Sequence, residues 1–258
     1  RIVAVSGSNG KTTTKEMIRG LLGTRMNVFA SPGNWNNHLG VPLCLLSLRD
    51  EHDVAVLEMG MNGAGQIEGY CKVALPNVSV LTNIGTAHIG ELGSIEAIGD
   101  AKAEIFRGLS SDGTAVVLID DPRIFERAQK IQVGAKIWVS AHRKADVWLE
   151  GDVIHYGDHQ RALKLPFEGE HMRSNFACAL GVAKAFGVEI DEIDAGISQI
   201  EWPAMRLTQT KLKGGVLLVD DSYNANPDSL AVALAFVAKH RPGRRIAVLG
   251  DMLELGSH

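Results

Sequence analysis

The segment Ser6-Gly7-Ser8-Asn9-Gly10-Lys11-Thr12-Thr13-Thr14 joins an apolar run at residues 1–6 to an amphipathic stretch at 11–22. A strand, a Gly-rich turn and a helix opening on Lys-Thr are what a phosphate site requires. Glycines at positions 7 and 10 let main-chain N–H groups turn inward onto an anion, and the helix N-terminus adds a favourable dipole. Lys11 supplies a point charge for the β- and γ-phosphates, and the Thr12 hydroxyl is a Mg²⁺ ligand. Ser8, Asn9 and Thr13 complete the cradle. The match to G-x-x-x-x-G-K-[ST] is incomplete, since its first glycine falls on Val5. A Gly-rich turn that merely caps a helix is the alternative, and the flanking strand and helix weigh against it.

Two further groups lie where they could meet a phosphate-bound cation. The apolar run at 53–58 ends on Glu58, and the run at 78–83 leads into Asn83-Ile84-Gly85-Thr86-Ala87-His88. In an open α/β sheet, ligands collect at the carboxyl ends of the strands, which puts Glu58 and His88 on the correct edge. Taken singly, a Glu after a strand is more often solvated and a lone His more often structural. Their coincidence with the phosphate loop favours function.

Lys102 is unusual in a different way. Ile95, Ile98, Ile105, Phe106 and Leu109 form one apolar stripe at helical spacing, and Lys102 falls inside it. Desolvation there would favour the neutral amine, whereas a snorkelling stem would keep the ammonium in water. The pattern leaves both open. A neutral amine is what reaction with CO₂ requires, and the carbamate formed would turn a cation into a metal-binding anion.

The elements that must position these groups read as α/β. Short Val- and Ile-rich runs at 1–6, 53–58, 78–83, 114–119, 215–220 and 245–249 alternate with helical patterns at 11–22, 94–109, 172–186 and 228–240. That alternation predicts a mostly parallel sheet with helices on both faces. Residues 136–166 break the rhythm. Short strands at 138–141, 147–149, 153–156 and 162–165 predict a small antiparallel edge or side sheet.

With 258 residues, 45% hydrophobic and 22% charged, the chain can bury a sizeable core. A net charge of −4 without basic runs argues against nucleic acid. No apolar stretch approaches the roughly 20 residues of a membrane span. Cys44, Cys71 and Cys178 have no metal-ligand spacing and read as buried thiols of a reducing cytoplasm. The chain opens inside one strand and stops just after another, which suggests a piece of a longer protein.

These residues together resemble a known family. The loop 6–13, Glu58-Met59-Gly60, residues 83–88 and Ala101-Lys102-Ala103-Glu104-Ile105-Phe106 are similar, in order, to the central domain of the Mur ligases. Gly169-Glu170-His171 with Asn175, and Asp220-Asp221-Ser222-Tyr223-Asn224-Ala225-Asn226-Pro227, continue the likeness. Residues 33–42 (Gly33-Asn34-Trp35-Asn36-Asn37-His38-Leu39-Gly40-Val41-Pro42), the run 221–227 and residues 250–256 look most like the branch that adds D-alanyl-D-alanine. The sequence departs from the family in two places. Met172 stands where the pattern has Asn, and no glycine precedes Arg206, which leaves open that Arg206 is an exposed strand-end residue.

The resemblance implies a central ATP-binding domain at 1–243 and, at 244–258, the opening strand of a C-terminal Rossmann-like domain. It implies a cytoplasmic, monomeric ligase of peptidoglycan precursor synthesis. That enzyme uses ATP and Mg²⁺ to join D-alanyl-D-alanine to UDP-MurNAc-tripeptide through an acyl phosphate. Lys11 and Thr12 would serve the phosphates and first cation; Glu58, His88 and a carbamylated Lys102 would serve the second. Asn175 would contact adenine, Asp221 the ribose, and Tyr223, Asn224, Asn226 and Arg206 would lie beside them. Asn36 and Asn37 would face the acceptor. Without its flanking domains, the chain alone is expected to bind ATP weakly and turn over little. A sibling ligase adding a single amino acid, and a non-catalytic nucleotide-binding module, are the competing readings.

Overall fold

Strands buried on both faces need helices above and below them, and the computed structural model builds that arrangement; it describes residues 1–239, 243–253 and 255. In chain order the elements are β1 (Ile2–Ser6), α1 (Lys11–Leu22), β2 (Val28–Ala30), α2 (Gly40–Leu46), β3 (Val54–Glu58), α3 (Gln66–Ala74), β4 (Val78–Leu81), α4 (Ile89–Leu92), α5 (Ile95–Lys102) and α6 (Glu104–Arg107). Then come β5 (Thr114–Leu118), α7 (Pro122–Gln129), β6 (Ala135–Ser140), β7 (Val147–Glu150), β8 (Val153–Tyr156), β9 (His159–Ala162), α8 (Glu170–Ala185), α9 (Ile193–Ser198), β10 (Thr208–Lys211), β11 (Leu217–Asp220) and α10 (Pro227–Lys239).

Nine strands form one sheet in the order β2-β3-β1-β4-β5-β6-β7-β8-β9. Pairing is parallel from β2 through β7 and antiparallel for β8 and β9. Central strand β1 lies between β3 and β4, in register Val5↔Glu58 and Ser6↔Leu81. After β1 the chain passes to β2 and β3 on one side, and after β4 it continues to β5 and β6 on the other. The carboxyl ends of these three strands therefore open a crevice at a topological switch point. Helices α1, α8 and α9 pack together on one side, with α8 lying across β4 to β7; α2, α3, α5, α6 and α7 form a second group. The core is continuous between them, with Val3, Ala4, Val5, Leu57, Val80, Ile105 and Phe176 fully or almost fully buried.

The mostly parallel sheet with an antiparallel edge and helices on both faces agrees with the sequence. Five details differ. The strand expected at 215–220 stands outside the main sheet, where β11 pairs antiparallel with β10. The expected helix at 94–109 is two, α5 and α6, divided at Ala103; Ser94 caps the first, its hydroxyl accepting from Ala97 N. The strand expected at 138–141 is a parallel core strand that begins at Ala135, paired along β5. The last edge strand falls at His159–Ala162 rather than 162–165, because a two-residue turn after β8 sets its register with Tyr156 opposite His159. No strand forms at 245–249. Ile246 and Val248 are 70% and 93% exposed there, and a strand without a neighbour leaves its ladder groups unpaired. Residue 240, at the end of the expected helix 228–240, and residues 254 and 256 of the 250–256 motif lie outside the described residues.

The three cysteines are buried and unpaired, and burial pushes the Cys71 thiol up to about 12. Among the described residues, no helix is long and apolar enough to cross a membrane.

Candidate functional site

The phosphate loop turns where its glycines allow. Gly7 has φ 149° and Gly10 has φ 81°, both conformations that disfavour a side chain. A Cβ at Gly7 would collide with Thr82 Oγ1, and one at Gly10 with the Asn175 carboxamide. Gly10 thus ends the loop, opens α1 and keeps Asn175 close to the anion cradle.

The loop is held from outside by its neighbour at residues 82–86. Ser8 N donates to Asn83 O (3.0 Å), and Gly85 N to Ser8 Oγ (2.8 Å). Asn9 N donates to Asn83 Oδ1 (2.9 Å), while Asn9 O accepts from Thr82 Oγ1 (2.6 Å) and Asn83 Nδ2 (2.9 Å). That second loop is fixed in turn. One Asp121 oxygen accepts from Ile84 N (2.8 Å) while the other caps α7 through Arg123 N and Ile124 N. Asp228 accepts from both Thr86 N and Thr86 Oγ1 (2.8 Å each). The loop ends on His88, held at φ 68° at the start of α4.

Lys11 curls back over its own loop, its Nζ donating to Gly7 O (3.0 Å) and lying 3.4 Å from Ser8 O. Burial draws its pKa down from the usual lysine value; the Glu58 carboxylate opposes the shift and the Arg206 guanidinium adds to it. Beside it, Thr12 Oγ1 donates to Glu58 Oε2 (2.8 Å) and Asn36 Nδ2 donates to Glu58 Oε1 (2.7 Å). Glu58 is 2% exposed.

The break at Ala103 separates two buried groups. Lys102, 1% exposed, reaches Gly7 O (3.3 Å). Glu104 instead accepts from Gly65 N (2.7 Å) and Glu68 N (3.1 Å), capping α3 with a carboxylate from a distant helix. Burial, and then the neighbouring Lys11 charge, hold the Lys102 amine well below its ordinary pKa. The snorkelling alternative is therefore not the conformation adopted.

From the other side, Arg206 Nη2 donates to Thr12 Oγ1 (3.1 Å), and its guanidinium lies 4.2 Å from the Tyr223 ring centroid. The missing glycine before it is accommodated, because Met205 itself takes φ 57° and Leu207 takes φ 51°. Leu207 N donates to Asp221 Oδ1 (3.0 Å), and burial raises the Asp221 pKa. Asn226 Nδ2 donates to Asn9 Oδ1 (2.8 Å), docking the start of α10 on the phosphate loop.

A cavity of about 1220 Å³ opens over this network. Ser8 to Thr13, Asn36, Asn37, Glu58, His88, His171, Asn175, Arg206, Asp221, Tyr223, Asn224 and Asn226 line it, with Pro166, Phe167, Met172 and Phe236 as its apolar wall. Of the residues expected from sequence, Gly7 and Lys102 alone do not reach its surface; they meet beneath the loop. Asn37 spends its Oδ1 on Leu39 N and Gly40 N, at the start of α2. Most ligand sites run to about 300–1,000 Å³, so there is room for more than one reactant.

Sequence reasoning missed Lys15, Ser31, Asp121 and Asp228. Each acts on a main-chain group distant in sequence, and no local pattern marks them. Among the described residues, no group of three or more His, Cys, Asp or Glu side chains could hold a metal alone. The paired Thr12 and Glu58 oxygens fit a hard cation that takes its other ligands from phosphates and water, as Mg²⁺ does.

Comparison with known proteins follows the same lines. The profile of the Mur ligase middle domain matches residues 5–183, and that of the Mur ligase glutamate ligase domain matches 205–258. The chain is 36% identical over 263 residues to the UDP-N-acetylmuramoyl-tripeptide–D-alanyl-D-alanine ligase of Bacillus subtilis, covering 99% of this chain and 57% of that protein. Its structure superposes on MurF from Acinetobacter baumannii with a TM-score of 0.89, at 37% identity over 100% of this chain and 58% of the other. MurF ligase from Thermotoga maritima, in complex with ADP, gives a TM-score of 0.85 at 32% identity, over 99% of this chain and 61% of the other. The chain therefore spans 57% to 61% of the length of these three proteins.

Proposed function

Because the chain belongs to the Mur ligase family, we propose that it is the nucleotide-binding portion of an ATP-dependent ligase joining D-alanyl-D-alanine to UDP-MurNAc-tripeptide. The observation that carries this reading is the convergence on Thr12 of Glu58, Arg206 and the phosphate loop within a cavity wide enough for two reactants. The relatives named for that reaction, and the ADP bound by one of them, agree with it.

In this reading, main-chain N–H groups of residues 8–12 and the Lys11 ammonium bind the β- and γ-phosphates. Arg206, freed from Thr12, meets the same phosphates from across the cavity, and Tyr223 backs its guanidinium. Asn175 faces adenine along the wall of Phe167 and Met172, and Asp221 accepts from the ribose. Thr12 and Glu58 would hold Mg²⁺, Glu58 being reassigned from the second cation to the first because its Oε2 lies against Thr12; the cation offsets repulsion between the acceptor carboxylate and the γ-phosphate. Asn36 keeps one Glu58 oxygen occupied, so the other is presented. The acceptor carboxylate takes the γ-phosphoryl group, forming an acyl phosphate and releasing ADP. The dipeptide amine then attacks the acyl carbon, and the tetrahedral intermediate collapses to amide and phosphate.

Lys102 enters as a carbamate. Its neutral Nζ attacks CO₂: an N–C bond forms as one C=O π bond opens onto oxygen, and the nitrogen gives up a proton to buffer base. The resulting anion, with His88, would serve a second cation and the acyl-phosphate oxygens. Asn37 would present its Nδ2 to the acceptor.

Phosphate release by the full-length protein tests the reading. UDP-MurNAc-tripeptide, ATP and Mg²⁺ are supplied together with D-alanyl-D-alanine or with single amino acids. Release that depends on the dipeptide is expected. Release driven by a single amino acid would move the protein to a sibling ligase, and no substrate-dependent release would end the ligase reading.

A further inference from the structure

Lys15 lies one turn beyond Lys11 on α1 and is completely buried. A buried ammonium persists only when its protons are matched. Here Nζ has three acceptors: Ser31 O at 2.5 Å, Gly33 O at 3.3 Å and Glu16 Oε1 at 3.0 Å. Two of them are main-chain carbonyls of the segment that runs from β2 toward Asn36. Lys15 does not line the cavity, so it has no route to a nucleotide.

What it holds does reach the site. Ser31 Oγ accepts from Glu58 N (3.1 Å), and Ser31 N donates to Val56 O (3.0 Å). Farther along the segment, Asn36 O accepts from Gly60 N (2.8 Å) while Asn36 Nδ2 holds Glu58 Oε1. Residues 31–36 thus touch the carboxyl end of β3 at both ends, and the ammonium ties down the carbonyls between them.

We propose that Lys15 is a positioning residue for the cation site. By fixing residues 31–33 it sets Ser31 and Asn36 on either side of Glu58, which leaves Oε2 facing Thr12. Its contribution falls on the cation and not on the nucleotide's direct contacts, which come from the phosphate loop, Lys11 and Arg206. This inference rests on the reading of the cavity as a Mg·ATP site. A lysine that only filled the core would affect both kinds of binding together.

The test is a titration of ATP binding to the full-length protein, with EDTA and across a MgCl₂ series. Lys15→Met keeps the volume and removes the charge. It is expected to raise the half-saturating Mg²⁺ concentration by about tenfold or more, the effect typical of residues that orient metal ligands. Affinity for ATP in EDTA should stay within about twofold of wild type on the same argument. Ser31→Ala keeps the buried charge, removes one link to Glu58, and is expected to shift the Mg²⁺ midpoint in the same direction; it decides the matter where Lys15→Met does not fold. An unchanged midpoint in a folded variant, or an equal loss with and without Mg²⁺, would overturn the proposal. Absence of any Mg²⁺ effect in the wild type would instead remove the site reading on which it stands.

Discussion

The Nζ atoms of Lys11 and Lys102 meet on a single acceptor, the carbonyl oxygen of Gly7, at 3.0 and 3.3 Å. One comes from the helix that follows the loop, the other from a helix ninety-odd residues away. Two like charges beneath a buried loop cannot both persist cheaply. Lys102, sealed from water, is the one whose pKa falls far, while Lys11 keeps Glu58 as a counter-charge.

This relationship predicts a reactive amine. The lowered pKa favours the neutral amine, so exposure to ¹³C-bicarbonate should give a carbamate ¹³C resonance that Lys102→Ala lacks. Loss of the anion should cost the full-length enzyme about a hundredfold or more in rate, the scale of one removed electrostatic stabiliser. Acetate or formate should restore part of it. A wild-type spectrum without the resonance, or a fully active alanine variant, would remove the carbamate.

Arg206 reaches across 194 residues to Thr12. A charge-assisted hydrogen bond contributes about 1.5–3 kcal/mol, so Arg206→Ala should weaken nucleotide binding by about tenfold or more. Arg206→Lys should recover little, because an ammonium offers neither the planar stack on Tyr223 nor the fork geometry. Isothermal titration with ATP and Mg²⁺ measures both. An unchanged Kd for the alanine variant would leave Arg206 a mere linker residue.

The parts of this site that were legible in the sequence are those whose chemistry is local. Gly7, Gly10, Lys11 and Thr12 are nearly contiguous, and Glu58 ends a strand whose apolar run is plain. Lys102 stood out against the apolar stripe, although the stripe itself gave no sign that the helix stops at Ala103, where neither Gly nor Pro intervenes. Lys15 gave no signal at all. It looks like any polar helix residue until the carbonyls of residues 31–33 are seen to close over it. Asp121 and Asp228 gave no sign of their part in the site: the local role of Asp121 is to cap α7, and both meet the loop at 84–86 only in the folded chain. The run at 245–249 has every local mark of a strand and no partner among the described residues, and pairing decides.

Gly10 supports both backbone and site. Its φ of 81° and its nearness to the Asn175 carboxamide make Gly10→Ala strained twice over. A non-glycine residue forced into such a conformation costs about 1–3 kcal/mol, which thermal unfolding should register as a lower midpoint. ATP binding should be lost as well, because relief requires either the loop or Asn175 to move. A variant that retains the wild-type midpoint and affinity would show that the loop tolerates a side chain there.

His171 makes the site sensitive to acid. It lines the cavity at the start of α8, and its buried Nε2 has no hydrogen-bond partner among the described residues. Burial lowers its pKa below the usual 6.5; Glu170 opposes the shift and Lys239 adds to it. A histidine with a depressed folded pKa takes up its proton more readily in the unfolded chain. The unfolded state therefore binds more protons as pH falls below about 6.5, and stability drops with it until the folded form protonates too. Denaturant midpoints at pH 8 and pH 5.5 should separate more widely for the wild type than for His171→Gln, which removes this one titration and leaves the other histidines in place. Equal separation in the two proteins would mean that His171 protonates as easily folded as unfolded, and its burial against the cavity wall would not be what sets its charge.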